Sequence, residues 1–238
     1  IILLLENTSD KFYRQFINHP KVYLELDNSI IFKNDYLKQM ERQINFVNSS
    51  LPIARDQEIE YLLFIDNDEL LYLPQGVNYL YSFLKQNNQF DNFKISNIEA
   101  LYTKYEDNLF TTPYFNVYPP DYTAYVNGKS IGNLKHYSIS LNGPHQFSGT
   151  NIQVPSSLAV ILHYESASYQ HWCQKFNNYA LNNSLDVSNK SIPFPFYNES
   201  IQAFLNTASQ KEKKKIWSKY KMVKYRDPKT YIKIDLKL

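Results

Sequence analysis

Several kinds of residue are scarce in this chain of 238 residues, and each scarcity excludes a class of protein. The single cysteine, Cys173, excludes a disulfide framework and any zinc site that needs several thiolates, so His, Asp and Glu are the remaining metal ligands. No stretch approaches the roughly 20 apolar residues that a helix needs to span a bilayer. With 43% hydrophobic and 20% charged residues, the composition is that of a globular protein and not of a disordered or fibrous one.

The net charge of +2 hides an uneven distribution along the chain. Residues 211–238 hold 11 of the 25 basic side chains and three acidic ones, so they carry +8 while residues 1–210 carry −6. This basic segment predicts either a helix that covers the core with its apolar side or an amphipathic helix in peripheral contact with an anionic membrane. Nucleic-acid binding is disfavoured, because the rest of the chain is acidic and contains no nucleic-acid motif.

The first half of the chain alternates apolar runs with helical patterns. Strands are predicted over 1–6, 21–26, 61–65 and 92–104, and helices over 10–18, from 34 or 35 to 47, and over 76–86. This order predicts an α/β fold with a mostly parallel open sheet flanked by helices. The continuous apolar run over 61–65 is typical of a strand that is buried on both faces.

The second half has a different pattern. Pro and Gly punctuate residues 111–155 and predict irregular strands and loops. The apolar run over 158–162 predicts a strand that ends at His163, and helices are predicted near 167–182, with Ser166 or Ser168 as the cap, and from about 199 to 225. We therefore expect a domain over 1–183 and a basic helical extension over 184–238 that packs on it.

Acidic residues follow one of the predicted buried strands. Asp66, Asp68 and Glu69 stand where ligands bind in parallel α/β sheets, beyond the carboxyl end of a strand. Two carboxylates spaced i, i+2 suit one Mg²⁺ or Mn²⁺ ion that also binds substrate phosphates, although a solvated acidic turn has the same sequence. His163 ends another apolar strand, and it becomes a third ligand if the two strand ends converge. Otherwise it is a histidine at the edge of the core.

The sequence around this acidic turn resembles a known family. The segment over 61–71 is similar to the hhhhDxDE motif of glycosyltransferases with the glycosyltransferase A fold, in particular the family 2-like and family 92-like group. The segment over 3–10 resembles the DNGSTD loop of that group. Further matches occur in the order that the motifs have in that group: Ala54-Arg55 before the acidic segment, then Gly143-Pro144-His145, Leu162-His163-Tyr164 and Lys175-Phe176. The resemblance covers residues 1–183, which it implies are the catalytic domain.

The resemblance implies a site for a nucleotide-diphosphate sugar, with a UDP-sugar favoured. Glu6 and Asn7 would contact the nucleoside, and Arg55 would lie near the base or the diphosphate. Lys129 stands in Asn127-Gly128-Lys129-Ser130, which is similar to a glycine-bearing loop near the donor phosphate. The alternative for Lys129 is a solvated lysine in a hairpin.

The resemblance also implies a bound Mn²⁺ or Mg²⁺ ion. Asp68 and His163 would ligate the metal, and Asp66 would contact the metal or the ribose. The family fold has one more strand and helix before the DNGSTD loop, so we expect that this sequence starts inside a longer protein and lacks the first strand of the fold.

One expected residue is missing. Inverting members carry an acidic base between the glycine loop and the late histidine, whereas no acidic residue occurs between Val126 and His163. The candidates for the base are therefore Glu99, His145 and Glu165. Glu99 is favoured because its strand is predicted to run beside the Asp-x-Asp strand.

Together these motifs imply a metal-dependent, inverting glycosyltransferase that acts on a hydroxyl of a glycan, glycoprotein or glycolipid. A metal-dependent phosphohydrolase or nucleotidyltransferase uses a similar acidic turn, and a non-catalytic sugar-binding module on the same fold is a further alternative. The motifs assign no compartment. The cytoplasm fits, and so does a secretory lumen if an anchor precedes the chain.

Overall fold

The computed structural model describes residues 2–6, 20, 22–27, 36–105, 110–181 and 194–236. The predicted helix over 10–18 and the predicted nucleoside contact Asn7 lie outside these residues, as does the predicted start of a helix at residue 34 or 35. The described part of the chain is a mixed α/β fold, in which helices accompany a two-stranded, a four-stranded and a five-stranded sheet.

The described residues form five α-helices and eleven strands. The helices are α1 (Tyr36–Asp56), α2 (Val77–Gln86), α3 (Tyr169–Leu181), α4 (Pro195–Leu205) and α5 (Gln210–Lys221). The strands are β1 (Ile2–Glu6), β2 (Tyr23–Asp27), β3 (Tyr61–Leu63), β4 (Glu69–Tyr72), β5 (Asn92–Ile95), β6 (Asn97–Leu101), β7 (Tyr114–Asn116), β8 (Lys129–Asn133), β9 (Asn151–Gln153), β10 (Val160–His163) and β11 (Tyr231–Lys233). These bounds confirm the predicted helices over 76–86, 167–182 and 199–225 to within a few residues.

The sheets are mixed, so the prediction of a mostly parallel sheet is wrong for the described strands. The four-stranded sheet has the order β3-β8-β5-β9 and the five-stranded sheet the order β11-β7-β6-β10-β4. Only β1–β2, β5–β9 and β6–β10 are parallel among the described pairings, and five pairings are antiparallel. A parallel connection needs a crossover of a dozen or more residues, usually an α-helix, whereas β5–β9 and β6–β10 are connected through strands, loops and the 3₁₀ turn Pro119–Asp121, with no α-helix in the described chain between β5 and β10.

The predicted strand over 92–104 divides at Ser96. β5 before it joins the four-stranded sheet, and β6 after it joins the five-stranded sheet. The predicted strand over 61–65 is also shorter than expected. Strand β3 ends at Leu63, and its side chains are half-buried because β3 is the edge of the described four-stranded sheet.

Strand β10 brings the end of the five-stranded sheet to the acidic turn. All four of its residues are buried, as the apolar run predicts, and it lies between parallel β6 and antiparallel β4. The residues over 66–68 form the turn that leads into β4. The backbone N–H of Tyr164, just after β10, donates to the carbonyl of Asp68 at 2.8 Å. The two strand ends therefore converge, as the sequence analysis required.

The described C-terminal residues share a core with the rest of the chain. Trp217 of α5, Phe196 of α4 and Ile234 pack in one apolar cluster with Leu162 of β10, and β11 pairs with β7. Of the two interpretations of the basic segment, this packing agrees with a helix that covers the core. None of the described helices has the length and apolar character needed to cross a membrane.

A glycine fixes the start of β8 against β5. Gly128 has φ +61°, and a Cβ there would lie 1.9 Å from the carbonyl oxygen of Ile95. We expect Gly128→Ala to lower the free energy of unfolding by about 2–5 kcal/mol, since strain and overpacking add. Gly143→Ala is the matched control, because no atom lies within 4 Å of its added Cβ. Urea denaturation of both variants checks this, and equal stabilities would contradict it.

Candidate metal centre

Three side chains at the end of β10 form a cluster that can hold a cation. Asp68, His163 and Glu165, here called the cation cluster, each offer one ligand atom, and these atoms lie within 4.8 Å of one another. Nε2 of His163 is 3.8 Å from Oδ2 of Asp68. His163 and Glu165 are buried, whereas a fifth of the Asp68 side chain is exposed. The cluster therefore meets solvent at Asp68.

The register of the five-stranded sheet sets His163 between two acidic residues. His163 pairs with Glu69 of β4 on one side and with Glu99 of β6 on the other. Directly opposed residues of neighbouring strands point to the same face of a sheet. Both carboxylates therefore lie beside the imidazole, and Nδ1 of His163 is 3.5 Å from Oε1 of Glu99.

Glu99 is a buried carboxylate with several donors. It accepts from the backbone N–H of Thr123 at 2.7 Å, from the Thr123 hydroxyl, and from the backbone N–H of Ala124 at 3.0 Å. Burial opposes its ionisation, but the ammonium of Lys221, 3.9 Å away, His163 and Thr123 together lower the pKa of Glu99 to about 2. These contacts disfavour the predicted role of catalytic base and suit a group that orients His163. Strand β6 also lies beside β10 and not beside β3, so the reason for favouring Glu99 was wrong.

The charge of His163 depends on the same neighbours. Burial disfavours the imidazolium, but the carboxylates of Glu99 and Asp68 outweigh it and raise the pKa of His163. Nδ1 of His163 makes no hydrogen bond within the described residues, and its 3.5 Å approach to Glu99 is an ion-pair contact. In the neutral imidazole with its proton on Nδ1, the Nε2 lone pair is on the side of Asp68. A carboxylate behind a metal-binding histidine is a common arrangement that fixes the ring and its tautomer.

Three side chains donate hydrogen bonds to Glu165, one from the neighbouring residue and two from helices α3 and α4. Lys175 of α3 donates to both oxygens, at 2.9 and 2.8 Å, and the hydroxyls of Ser166 and Tyr197 donate at 2.6 and 3.2 Å. Burial opposes the ionisation of Glu165, yet the charge of Lys175 holds its pKa well below the usual range. Glu165 is therefore a fixed carboxylate, and its about four lone-pair sites already receive these four hydrogen bonds, so a cation would have to share an oxygen with one of the donors.

Asp66 faces a different partner from the one predicted. Its Oδ2 lies 2.6 Å from Nζ of Lys129, and its Oδ1 accepts from Gln43 of α1 at 3.2 Å. Asp66 is thus outside the cation cluster, and Glu165 stands in the place predicted for it. The Lys129 side chain is 1% exposed, so Lys129 is not a solvated hairpin lysine, and its place near the donor phosphate stays a prediction.

Glu69 lies beside this ion pair. Oε2 accepts from the backbone N–H of Asp66 at 2.7 Å and is 3.4 Å from Nζ of Lys129, while the buried Oε1 has no hydrogen-bond partner. Burial raises the pKa of Glu69 to about 7, against the opposing charge of Lys129. The position predicted as part of an acidic turn is therefore the buried first residue of β4, whose other residues are half-buried.

Five described carboxylates lie around His163: Asp66, Asp68, Glu69, Glu99 and Glu165. Three described lysines contact them: Lys129, Lys175 and Lys221. Glu69, with a pKa of about 7, is only partly ionised, and the raised pKa of His163 favours the imidazolium, so these charges do not by themselves require a cation. Arg226, which also lies near Glu99, is matched by Asp121. Oxygen and imidazole ligands suit Mn²⁺ or Mg²⁺, so the donor set fits the predicted ion.

His145 lies on the other side of an aromatic ring from His163. The ring of Tyr125 is 4.2 Å from that of His145 and 4.8 Å from that of His163, measured between centroids. Nδ1 of His145 is 3.1 Å from the carbonyl oxygen of Gly128, which can only accept, so Nδ1 carries the proton and Nε2 the lone pair. Burial and the charge of Lys129 lower the pKa of His145 to about 4.

Arg55 binds backbone carbonyl groups of the loop after β8. It donates to the carbonyls of Leu134, His136 and Tyr137. It is twelve residues from Gln43 along α1, or about 18 Å at 1.5 Å per residue. Arg55 therefore joins the end of α1 to the loop after β8, and its contact with the base or diphosphate stays a prediction. The predicted contact Glu6 ends β1, and Asn7 lies outside the described residues.

The roles of three residues at this site were not predicted from the sequence. Glu165 was considered only as a base, although its position two residues after His163 is the signal that pairs them. Lys221 belongs to α5, and nothing in its local sequence separates it from the exposed lysines around it. Tyr125 could not be distinguished from the many other tyrosines of the sequence.

Two clefts of about 570 and 370 Å³ lie elsewhere, beside β11 and beside α2, and neither contains a residue of the cation cluster.

The geometry distinguishes the two aspartates of the Asp-x-Asp motif. We expect Asp68→Asn to weaken Mn²⁺ binding at least about tenfold, since groups that only orient a metal ligand are already worth about 10–100-fold. Asp66→Asn is the matched control and should bind Mn²⁺ nearly as the unchanged protein does, because Asp66 contacts Lys129 instead. Isothermal titration with MnCl₂ measures both. Equal losses in the two variants would contradict this assignment.

Comparison with known proteins adds no relative to this description. No model of a known protein family matches the chain, and no curated protein matches it. The function therefore has to be argued from the chemistry of the cation cluster and its neighbours.

Proposed function

We propose that this protein is a metal-dependent glycosyltransferase with a fold of the glycosyltransferase A type. It would transfer a sugar from a nucleotide-diphosphate sugar, with a UDP-sugar favoured, to a hydroxyl of a glycan, glycoprotein or glycolipid, with inversion. The observation that carries the proposal is the cation cluster. It joins Asp68 of the acidic motif to the late histidine, His163, which are 95 residues apart and which the family resemblance pairs.

Asp68, His163 and Glu165 would hold the ion, which supplies positive charge to the departing diphosphate when it is bound. Asp68 is the member that meets solvent, so the substrate phosphates would approach on its side. Glu99 lies behind the His163 ring, 3.5 Å from Nδ1, and Lys175 fixes Glu165. Fixed ligands favour catalysis because no reorganisation is needed when charge develops.

Of the three candidates for the base, His145 has the most suitable contacts. The oxygens of Glu99 accept from Thr123 and Ala124, and those of Glu165 accept from Lys175. Nε2 of His145, by contrast, makes no hydrogen bond within the described part of the chain. A pKa of about 4 also gives His145 the basicity of an ordinary carboxylate, which is the group that inverting members of the resembling family use at this step.

The transferase and the alternative functions predict different effects of Mn²⁺ on the binding of UDP. We expect UDP to bind with an affinity that Mn²⁺ increases, and we expect Asp68→Asn to abolish this increase while the variant keeps its circular dichroism spectrum. Isothermal titration with UDP, with and without Mn²⁺, measures it. Binding of UDP that ignores Mn²⁺ would contradict the transferase, and binding without any transfer would favour the sugar-binding module. Release of phosphate from UDP-sugars without an acceptor would favour the phosphohydrolase.

The base assignment has a separate test. We expect His145→Gln to lower kcat for transfer by about 10²–10⁴, the usual range for loss of a general base, with unchanged UDP affinity. Glutamine can still donate to the Gly128 carbonyl, so the loop is preserved. The matched control is His171→Gln, an exposed histidine on α3, which should retain full activity. Wild-type turnover in His145→Gln would remove His145 from the mechanism.

A further inference from the structure

The ammonium of Lys129 lies in a cage of oxygen atoms. Nζ is 2.6 Å from Oδ2 of Asp66, 2.8 Å from the carbonyl oxygen of Pro144 and 3.4 Å from Oε2 of Glu69. The rings of Phe64 and Tyr125 lie on the ammonium at 5.1 and 5.8 Å from their centroids, within the range of cation–π attraction.

This cage is a neighbour of the cation cluster. Glu69 in the cage pairs in register with His163 in the cluster, and Tyr125 packs on both Lys129 and His163. Asp66 belongs to the cage and Asp68 to the cluster. The two carboxylates of one motif therefore serve two adjacent positions for positive charge.

The cage has an oxygen atom without a partner even with the ammonium inside it. The buried Oε1 of Glu69 has no hydrogen-bond partner, so the cage has more acceptor oxygens than the lysine has protons directed at them. Two carboxylate oxygens and a carbonyl oxygen are also the ligands that a hard divalent cation prefers. Without the lysine, these atoms would make a second cation site.

We propose that Lys129 permanently fills the second of two adjacent cation positions, so that the protein binds one divalent ion and not two. Lys129 belongs to the chain and is 1% exposed, so solution cations cannot displace it by mass action as they would displace a bound ion. The inference rests on the cation cluster of the proposed function and not on the sugar transfer. It also separates this site from phosphoryl-transfer sites that use two metal ions about 3.5–4 Å apart.

Ion counting tests the proposal without nucleotide, so the result does not depend on the transferase assignment. Titration of Mn²⁺, followed by the electron paramagnetic resonance signal of the free ion, gives the number of ions bound per chain. We expect one ion for the unchanged protein and two for Lys129→Met, which keeps the length of the side chain and removes its charge. Lys129→Arg is the matched control that retains the charge, and it should bind one ion.

Several outcomes would overturn the proposal. Binding of two ions per chain by the unchanged protein would already contradict the proposal. A folded Lys129→Met protein that binds a single ion contradicts it as well. If Lys129→Met is unfolded without metal, Mn²⁺ should restore its circular dichroism spectrum, because the ion replaces the ammonium. Failure of saturating Mn²⁺ to do so also rejects the proposal.

Discussion

The pairing of His163 with a carboxylate on each neighbouring strand is the constraint on which the rest of the site depends. Glu69 and Glu99 are forced to its two sides by the register of β4, β10 and β6. Leaving such a carboxylate buried and unpaired costs about 3–5 kcal/mol, so each one requires a cation within reach. Lys129 comes from β8 and Lys221 from the end of α5. The charges around one histidine thus explain why segments far apart in the chain meet here.

The same constraint connects the basic C-terminal segment to the site. Lys221 is fully buried, donates to the Thr123 hydroxyl at 2.7 Å and lies beside Glu99. Backbone bonds on either side of it, between Lys221 or Val223 and Tyr102, fix the end of α5 to the end of β6. Trp217 holds the helix on the core. The 194–236 region is therefore part of the structure that supports the site, whereas the count of lysines alone indicated only a charged surface.

Local pattern predicted the elements better than their arrangement. The helices, the strand that ends at His163 and the meeting of this strand end with the acidic turn follow from apolar periodicity and from the rule that sites lie at strand ends. Sheet order does not follow from periodicity, because a short apolar run is equally compatible with either direction. The division at Ser96 is the clearest case, since one residue sends β5 and β6 into different sheets. Side-chain partners were hardest to predict: Asp66 and Asp68 are two residues apart, yet one meets Lys129 and the other His163.

The division at Ser96 also has a chemical consequence. Strand β6 carries Glu99 to His163, whereas β5 pairs with β8, which carries Lys129 just after the glycine whose carbonyl binds His145. The cation position and the candidate base are thus supported by different sheets, and the ring of Tyr125 separates the two histidines. The proposed inverting transfer would use this separation, because the group that stabilises the leaving diphosphate and the group that takes a proton from the acceptor act on opposite sides of the sugar. The neutral imidazole at the second position is a consequence of burial, which together with the charge of Lys129 lowers the pKa of His145.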